Sequence, residues 1–145
     1  MSNRASHLAV AAALSLVACG SSDTSTGTSA HQGPYRLTVR GDATFDVDAG
    51  TTVHAALHLK STMQRLEVVE AKVEHGAPAF SFTFDPMLAP TEQYHLHYWI
   101  DSNGNGICDP PGMDELWAAD PPMGDPTFVV TRQTSQESDV CGSFY

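Results

Sequence analysis

Basic residues are scarce in this chain, and over one long stretch they are missing. The 145 residues hold 7 Lys and Arg against 17 Asp and Glu, a formal net charge of −10. No Lys or Arg lies between Lys72 and Arg132, where nine carboxylates fall: Glu74, Asp85, Glu92, Asp101, Asp109, Asp114, Glu115, Asp120 and Asp125. Such a surface repels nucleic acid and anionic lipid headgroups and attracts cations. Catalytic signatures are lacking too, with no G-x-S-x-G elbow, no H-E-x-x-H and no glycine-rich phosphate loop. Carboxylates are numerous enough to leave paired acid/base chemistry open. No pair is singled out by its surroundings, however, and the chain is not read as an enzyme. Met63, Met87, Met113 and Met123 are scattered, without the close spacing of a Cu(I) relay, and read as packing residues.

The start of the chain is a targeting pattern and stands apart from the fold. Arg4 precedes an apolar run from Leu8 to Ala18, too short to cross a bilayer as a permanent helix. The run ends in Leu16-Val17-Ala18-Cys19-Gly20, which resembles the lipobox of bacterial lipoproteins. That resemblance implies removal of residues 1–18, acylation of Cys19 by chains such as palmitate, and attachment to the membrane of the cell envelope. Gly20 and Ser21 follow Cys19 where an Asp would signal inner-membrane retention, so the resemblance implies the outer membrane. The alternative is an ordinary secretory peptide with an incidental cysteine.

Residues 19–33 read as a tether. Ser, Thr and Gly dominate there, so the segment cannot bury enough surface to order itself, and its reach is roughly 20 Å. His31 falls in this tether and is expected to be solvated. Residues 34–145 then form one domain, enough chain for a single core. With Cys19 assigned to lipid, Cys108 and Cys141 are left as a pair in an oxidising compartment, which argues for a disulfide.

Period-two alternation runs through this domain. Tyr35, Leu37 and Val39 face one way; so do Phe45 and Val47; Val53, Ala55, Leu57 and Leu59; Phe80, Phe82 and Phe84; Tyr94, Leu96, Tyr98 and Ile100; and Phe128 and Val130. Residues 66–73 fit either a helix or a bulged strand, and their three valines favour the strand. The expected fold is all-β, a single antiparallel β-sandwich of about seven strands, immunoglobulin-like or transthyretin-like. Trp117 is expected to be buried.

One stretch carries most of the chemistry. Asp101, Asn103, Asn105 and Asp109 are the first, third, fifth and ninth residues of a segment with Gly106 sixth. Alternating oxygen side chains around a tight glycine bend suit a hard cation, with the Ile107 carbonyl as a further ligand, and Ca²⁺ accepts six to eight such oxygens. The spacing resembles the opening of an EF-hand loop, and more closely the D-x-D-x-D-G-x-x-D loops of β-rich extracellular proteins. It departs from the EF-hand at its twelfth position, Gly112, where a bidentate Glu belongs. Asp114 or Glu115 supplies that carboxylate only if Pro110–Gly112 folds back. The competing reading is a bare hairpin turn.

Histidines come in two pairs on outward strand positions, His54 with His58 and His95 with His97. If their strands are neighbours, four imidazoles share a face able to bind Zn²⁺ or Cu²⁺; otherwise they are solvent-facing strand residues. Trp99, on the same face as His95 and His97, suggests a third possibility, an exposed sugar-stacking platform. Together these features describe a membrane-anchored extracytoplasmic lipoprotein with a structural calcium loop, serving as a binding or structural module for a protein or glycan partner. The alternatives are a histidine-based Zn/Cu protein and a small carbohydrate-binding module.

Overall fold

A computed structural model of the chain describes residues 31–76 and 78–145. The Cys19 lipobox and nearly all of the tether lie outside the described residues. The strands are β1 (Thr38–Gly41), β2 (Thr52–Leu59), β3 (Gln64–Lys72), β4 (Phe80–Thr83), β5 (Tyr94–Asp101), β6 (Glu115–Ala119) and β7 (Thr127–Val130). They form a three-stranded sheet in the order β4-β1-β7 and a four-stranded sheet in the order β3-β2-β5-β6. The domain is an all-β sandwich of seven strands, antiparallel throughout except for the parallel pair β1 and β7. A 3₁₀ turn, Val140–Ser143, follows near the end of the chain. Among the described residues no helix is long and apolar enough to cross a membrane.

The inward faces are those that alternation picks out. Leu37 and Val39, Val53, Ala55 and Leu57, Phe80 and Phe82, and Leu96, Tyr98 and Ile100 meet in one core with Trp117. Trp117 is 1% exposed, is stacked on Tyr98, and donates its indole N–H to the Gln133 carbonyl at 3.2 Å. Burying that ring is affordable because its one polar atom has a partner. Two expectations need correction. Phe45 and Val47 are not a strand; Phe45 instead inserts from a loop, edge-on to Phe80 and Trp117 at 5.1 and 5.4 Å. The seventh strand is β6, whose apolar Leu116-Trp117-Ala118-Ala119 run has no alternation because both of its faces are covered. The bulge of β3 falls at Leu66, left over between the pairs Leu57–Glu67 and His58–Arg65. His31 is also more than a solvated tether residue. Its backbone N–H donates to the Gly124 carbonyl at 2.7 Å, and its ring stands edge-on to Tyr35.

A second, smaller core lies on the outer face of the four-stranded sheet. There Trp99 and Leu116 pack against Cys108 and Val140, flanked by Cys141 and Phe144. The expected disulfide joins Cys108 to Cys141, with Cα atoms 5.4 Å apart, and ties the 3₁₀ turn to this face.

Gly41 pairs with Phe80 across β1 and β4, and the Phe80 ring fills the space above it. A Cβ on Gly41 would lie 2.3 Å from that ring, which is only 1% exposed and has little room to retreat. Gly41→Ala is therefore expected to destabilise the sandwich by about 1–3 kcal/mol, the usual penalty for overpacking. Urea denaturation measures this, and an unchanged midpoint would show that the ring moves aside freely.

Candidate functional site

Strand β5 ends at Asp101 and delivers the chain into the loop that the sequence singles out. Asp101 is 6% exposed, and its two carboxylate oxygens accept the backbone N–H groups of Asn105 at 3.1 Å and Gly106 at 3.0 Å. The chain therefore curls around the Asp101 side chain, with Gly104 and Gly106 at φ of 72° and 73° supplying the left-handed bends. Asn103 Oδ1 accepts from Asn105 N–H, and Asn105 Oδ1 from Ile107 N–H. Both amide groups also donate to Asp109 Oδ2, at 2.8 and 2.7 Å. The Ile107 side chain points outward, 56% exposed.

The turn after the loop does fold back. Met113 N–H donates to the Pro110 carbonyl at 3.1 Å, and Pro111 forms an isolated bridge with Asp114. This brings the Asp114 carboxylate between the two ends of the loop. One oxygen accepts Ser102 N–H at 3.0 Å and the other accepts Asp109 N–H at 2.9 Å. Asp114 is fully buried. Burial raises its pKa above the ordinary carboxylate range; the two backbone N–H groups oppose the rise, and nearby Asp101 and Asp109 add to it. Glu115, the other candidate, is directed elsewhere and accepts from Arg132 at 2.6 Å.

The donors offered here are hard oxygens: carboxylates from Asp101, Asp109 and Asp114, and amide oxygens from Asn103 and Asn105. Each oxygen of Asp101 and Asp114 takes one N–H and retains a second lone-pair site. The Cys108 sulfur is bonded to Cys141 and offers no thiolate. This donor set fits Ca²⁺. In the conformation described, the side chains hold one another through N–H groups. Among the described residues no three His, Cys, Asp or Glu side chains converge on one point in a metal-holding geometry.

Strands β2 and β5 are neighbours, so the histidine pairs share a face, with His58 directly opposite His95 and His54 opposite Trp99. Three of the four gather. The His95 and His97 Nε2 atoms are 3.0 Å apart, and the His58 ring lies 5.2 Å from that of His97. His54 is set apart, stacked on Trp99 with ring centres 4.2 Å apart. The reading of these residues as solvent-facing is corrected. His58 is 3% exposed and Trp99 is 3% exposed, because the C-terminal segment covers this side of the sheet. Trp99 is thus no sugar-stacking platform. Sequence reasoning missed Asp120 and Ser143, which contact His95 and His97; nothing in their local sequence marks them.

Burial is the first cause that lowers the pKa values of His54, His58 and His97, and His97 is pushed down to about 4 with help from repulsion by His95 and His58. Below the ordinary histidine value, near 6.5, the unfolded chain then binds more protons than the folded one, so stability falls with falling pH. Asp114, raised by burial, acts in the opposite direction, regaining stability as it protonates. The urea midpoint is expected to drop between about pH 7 and about pH 5, with a shallower drop in His97→Gln. A flat midpoint across that window would show that these rings remain well solvated.

No family model, curated protein or solved structure matches the chain.

Proposed function

We propose that this chain is a lipid-anchored extracytoplasmic module whose loop from Asp101 to Asp114 binds Ca²⁺ as a structural ion. The observation that carries the reading is the buried Asp114 carboxylate, held between Ser102 at the start of the loop and Asp109 at its end. It faces buried Asp101 and Asp109 in a segment with no Lys or Arg between positions 72 and 132. Three anionic groups gathered this closely repel one another, and a divalent cation on their free lone pairs relieves that repulsion. Asp101, Asn103, Asn105, Asp109 and Asp114 would hold the ion, with the Ile107 carbonyl as a further oxygen. The ion would neutralise charge and rigidify the end of the sandwich; no reaction is assigned to it.

The resemblance of Leu16-Val17-Ala18-Cys19 to a lipobox supports anchoring on the envelope membrane, which is probed by its own chemistry. Protein partners outside the cytoplasm suit this reading better than glycans, since the aromatic that a glycan would stack on is buried. Metabolic labelling with a fatty-acid analogue should mark the wild type and not Cys19→Ser. An unlabelled wild type ends the anchoring reading while leaving the calcium reading intact.

Calcium should raise the melting temperature relative to chelator, adding about 2.7 kcal/mol at a hundredfold excess over Kd. Its affinity is expected in the extracellular range, about 10⁻⁴ to 10⁻³ M. Asp101→Ala should abolish most of the rise. Reduction should diminish it, because Cys108 lies between Ile107 and Asp109 and is pinned to Cys141. If the oxidised wild type melts alike in calcium and in chelator, the segment is a hydrogen-bonded turn and nothing more.

A further inference from the structure

The histidines on the outer face of the four-stranded sheet form a polar cluster that the acidic loop does not use. His95 Nδ1 lies 2.6 Å from Asp120 Oδ1. A carboxylate can only accept there, so it holds the Nδ1 proton and leaves the His95 Nε2 lone pair free. His97 Nδ1 is hydrogen-bonded to the Ser143 hydroxyl. If that oxygen accepts, the His97 Nε2 lone pair is free as well; if it donates, His97 Nε2–H donates to the His95 Nε2 lone pair instead. The two Nε2 atoms face each other at 3.0 Å. Two nitrogen lone pairs at that distance repel unless a proton or a metal ion lies between them. Zinc–nitrogen bonds of about 2.0–2.1 Å in a tetrahedral shell set ligand nitrogens roughly 3.3 Å apart, close to the spacing here.

A third imidazole stands beside the pair. His58 is 3% exposed, its Nδ1 has no hydrogen-bond partner, and its ring is edge-on to His97. A buried imidazole nitrogen without a partner carries a desolvation penalty that ligation would remove. As the rings stand, two nitrogens and not three share a point. An open groove of about 380 Å³, lined also by Met63, Arg65 and Tyr145, adjoins His58.

We propose that His95, His97 and His58 form a three-histidine site for a borderline-soft divalent ion of the Zn²⁺ or Cu²⁺ class, with a solvent position as the fourth ligand. Asp120 is a positioning residue; it fixes the His95 tautomer and ring, the role a carboxylate plays behind many metal-bound histidines. Ser143 holds the His97 ring in place through its hydroxyl. His54 is excluded by its stacking on Trp99. Two cations border the site, Lys60 on Asp120 at 2.5 Å and Arg65 on the Ser143 carbonyl at 3.1 Å. Their repulsion keeps the affinity below that of a closed thiolate site. Imidazole nitrogens prefer this class of ion, whereas the acidic loop offers only oxygens, so the two sites are chemically separable.

Calorimetric titration of the full oxidised chain with ZnCl₂, at saturating calcium, tests the proposal. One zinc per chain is expected, with the Zn²⁺ affinity falling tenfold or more in His97→Ala and in His95→Gln. Asp120→Asn should weaken binding by about 10- to 100-fold. His54→Ala should leave it unchanged. Co²⁺ in place of zinc should give the visible absorption of a tetrahedral nitrogen site, a signature that a purely structural histidine cluster cannot produce. Circular dichroism checks that each variant is folded; if His97→Ala is not, His95→Gln, whose side chain is 21% exposed, carries the decision. Absence of zinc binding in the wild type overturns the proposal. So does binding that persists in folded His95→Gln.

Discussion

The antiparallel pairing of β2 with β5 is the constraint on which the rest of the structure depends. It runs without a slip from Thr52 opposite Asp101 to Leu59 opposite Tyr94. Since side chains alternate, this one register assigns both faces at once. Val53, Ala55 and Leu57 meet Ile100, Tyr98 and Leu96 on the inside, and His54 and His58 meet Trp99 and His95 on the outside. A slip by one residue would send the imidazoles into the core. The same register stops the strand at Asp101, so the acidic loop begins where the sheet ends.

The outer face would be solvent-exposed in a bare sandwich, but the end of the chain covers it. The disulfide from Cys108 to Cys141 pins the 3₁₀ turn, Val140 seats against Trp99 and Leu116, and Phe144 stands edge-on to Trp99. Polar contacts add to this cover. Ser143 bonds to His97, its carbonyl accepts from Arg65, and the Tyr145 hydroxyl accepts Cys108 N–H at 3.2 Å. A closed loop of this length is worth about 3–4 kcal/mol in the chain-entropy account. The cover also desolvates His54, His58 and His97, which lowers their proton affinity. One covalent link therefore touches both the acidic loop, through Cys108, and the histidine face, through Cys141.

Two electrostatic environments result at opposite ends of β5, about 20 Å apart at the rise of an extended strand. Around Asp101 the gathered groups are carboxylates, of which Asp101 and Asp114 are buried. Around His95 the gathered groups are imidazoles, and burial lowers the pKa of two of them, His58 and His97.

How much of this was legible in the sequence differs by element. Alternation was sufficient for Leu37 and Val39, for Phe80 and Phe82, and for Leu96, Tyr98 and Ile100, because a half-buried strand has period two and each inward residue lies in the core. It failed for β6, where both faces of Leu116 and Trp117 are covered and no period is left to read. It misled at Phe45, a single apolar loop residue wedged between rings. Parity of cysteines foretold the disulfide, and the oxygen spacing of the loop identified Asp101 to Asp109 as a unit. By itself, then, the sequence determined the fold class, the inward faces and the loop, since each is a local pattern of hydrophobicity or donor spacing. Only the tertiary structure decided that Asp114 closes the loop, that Asp120 and Ser143 stand behind His95 and His97, and that His58 and Trp99 are buried. Those outcomes depend on which strands become neighbours and where the chain returns to lie, and no local pattern of residues encodes either.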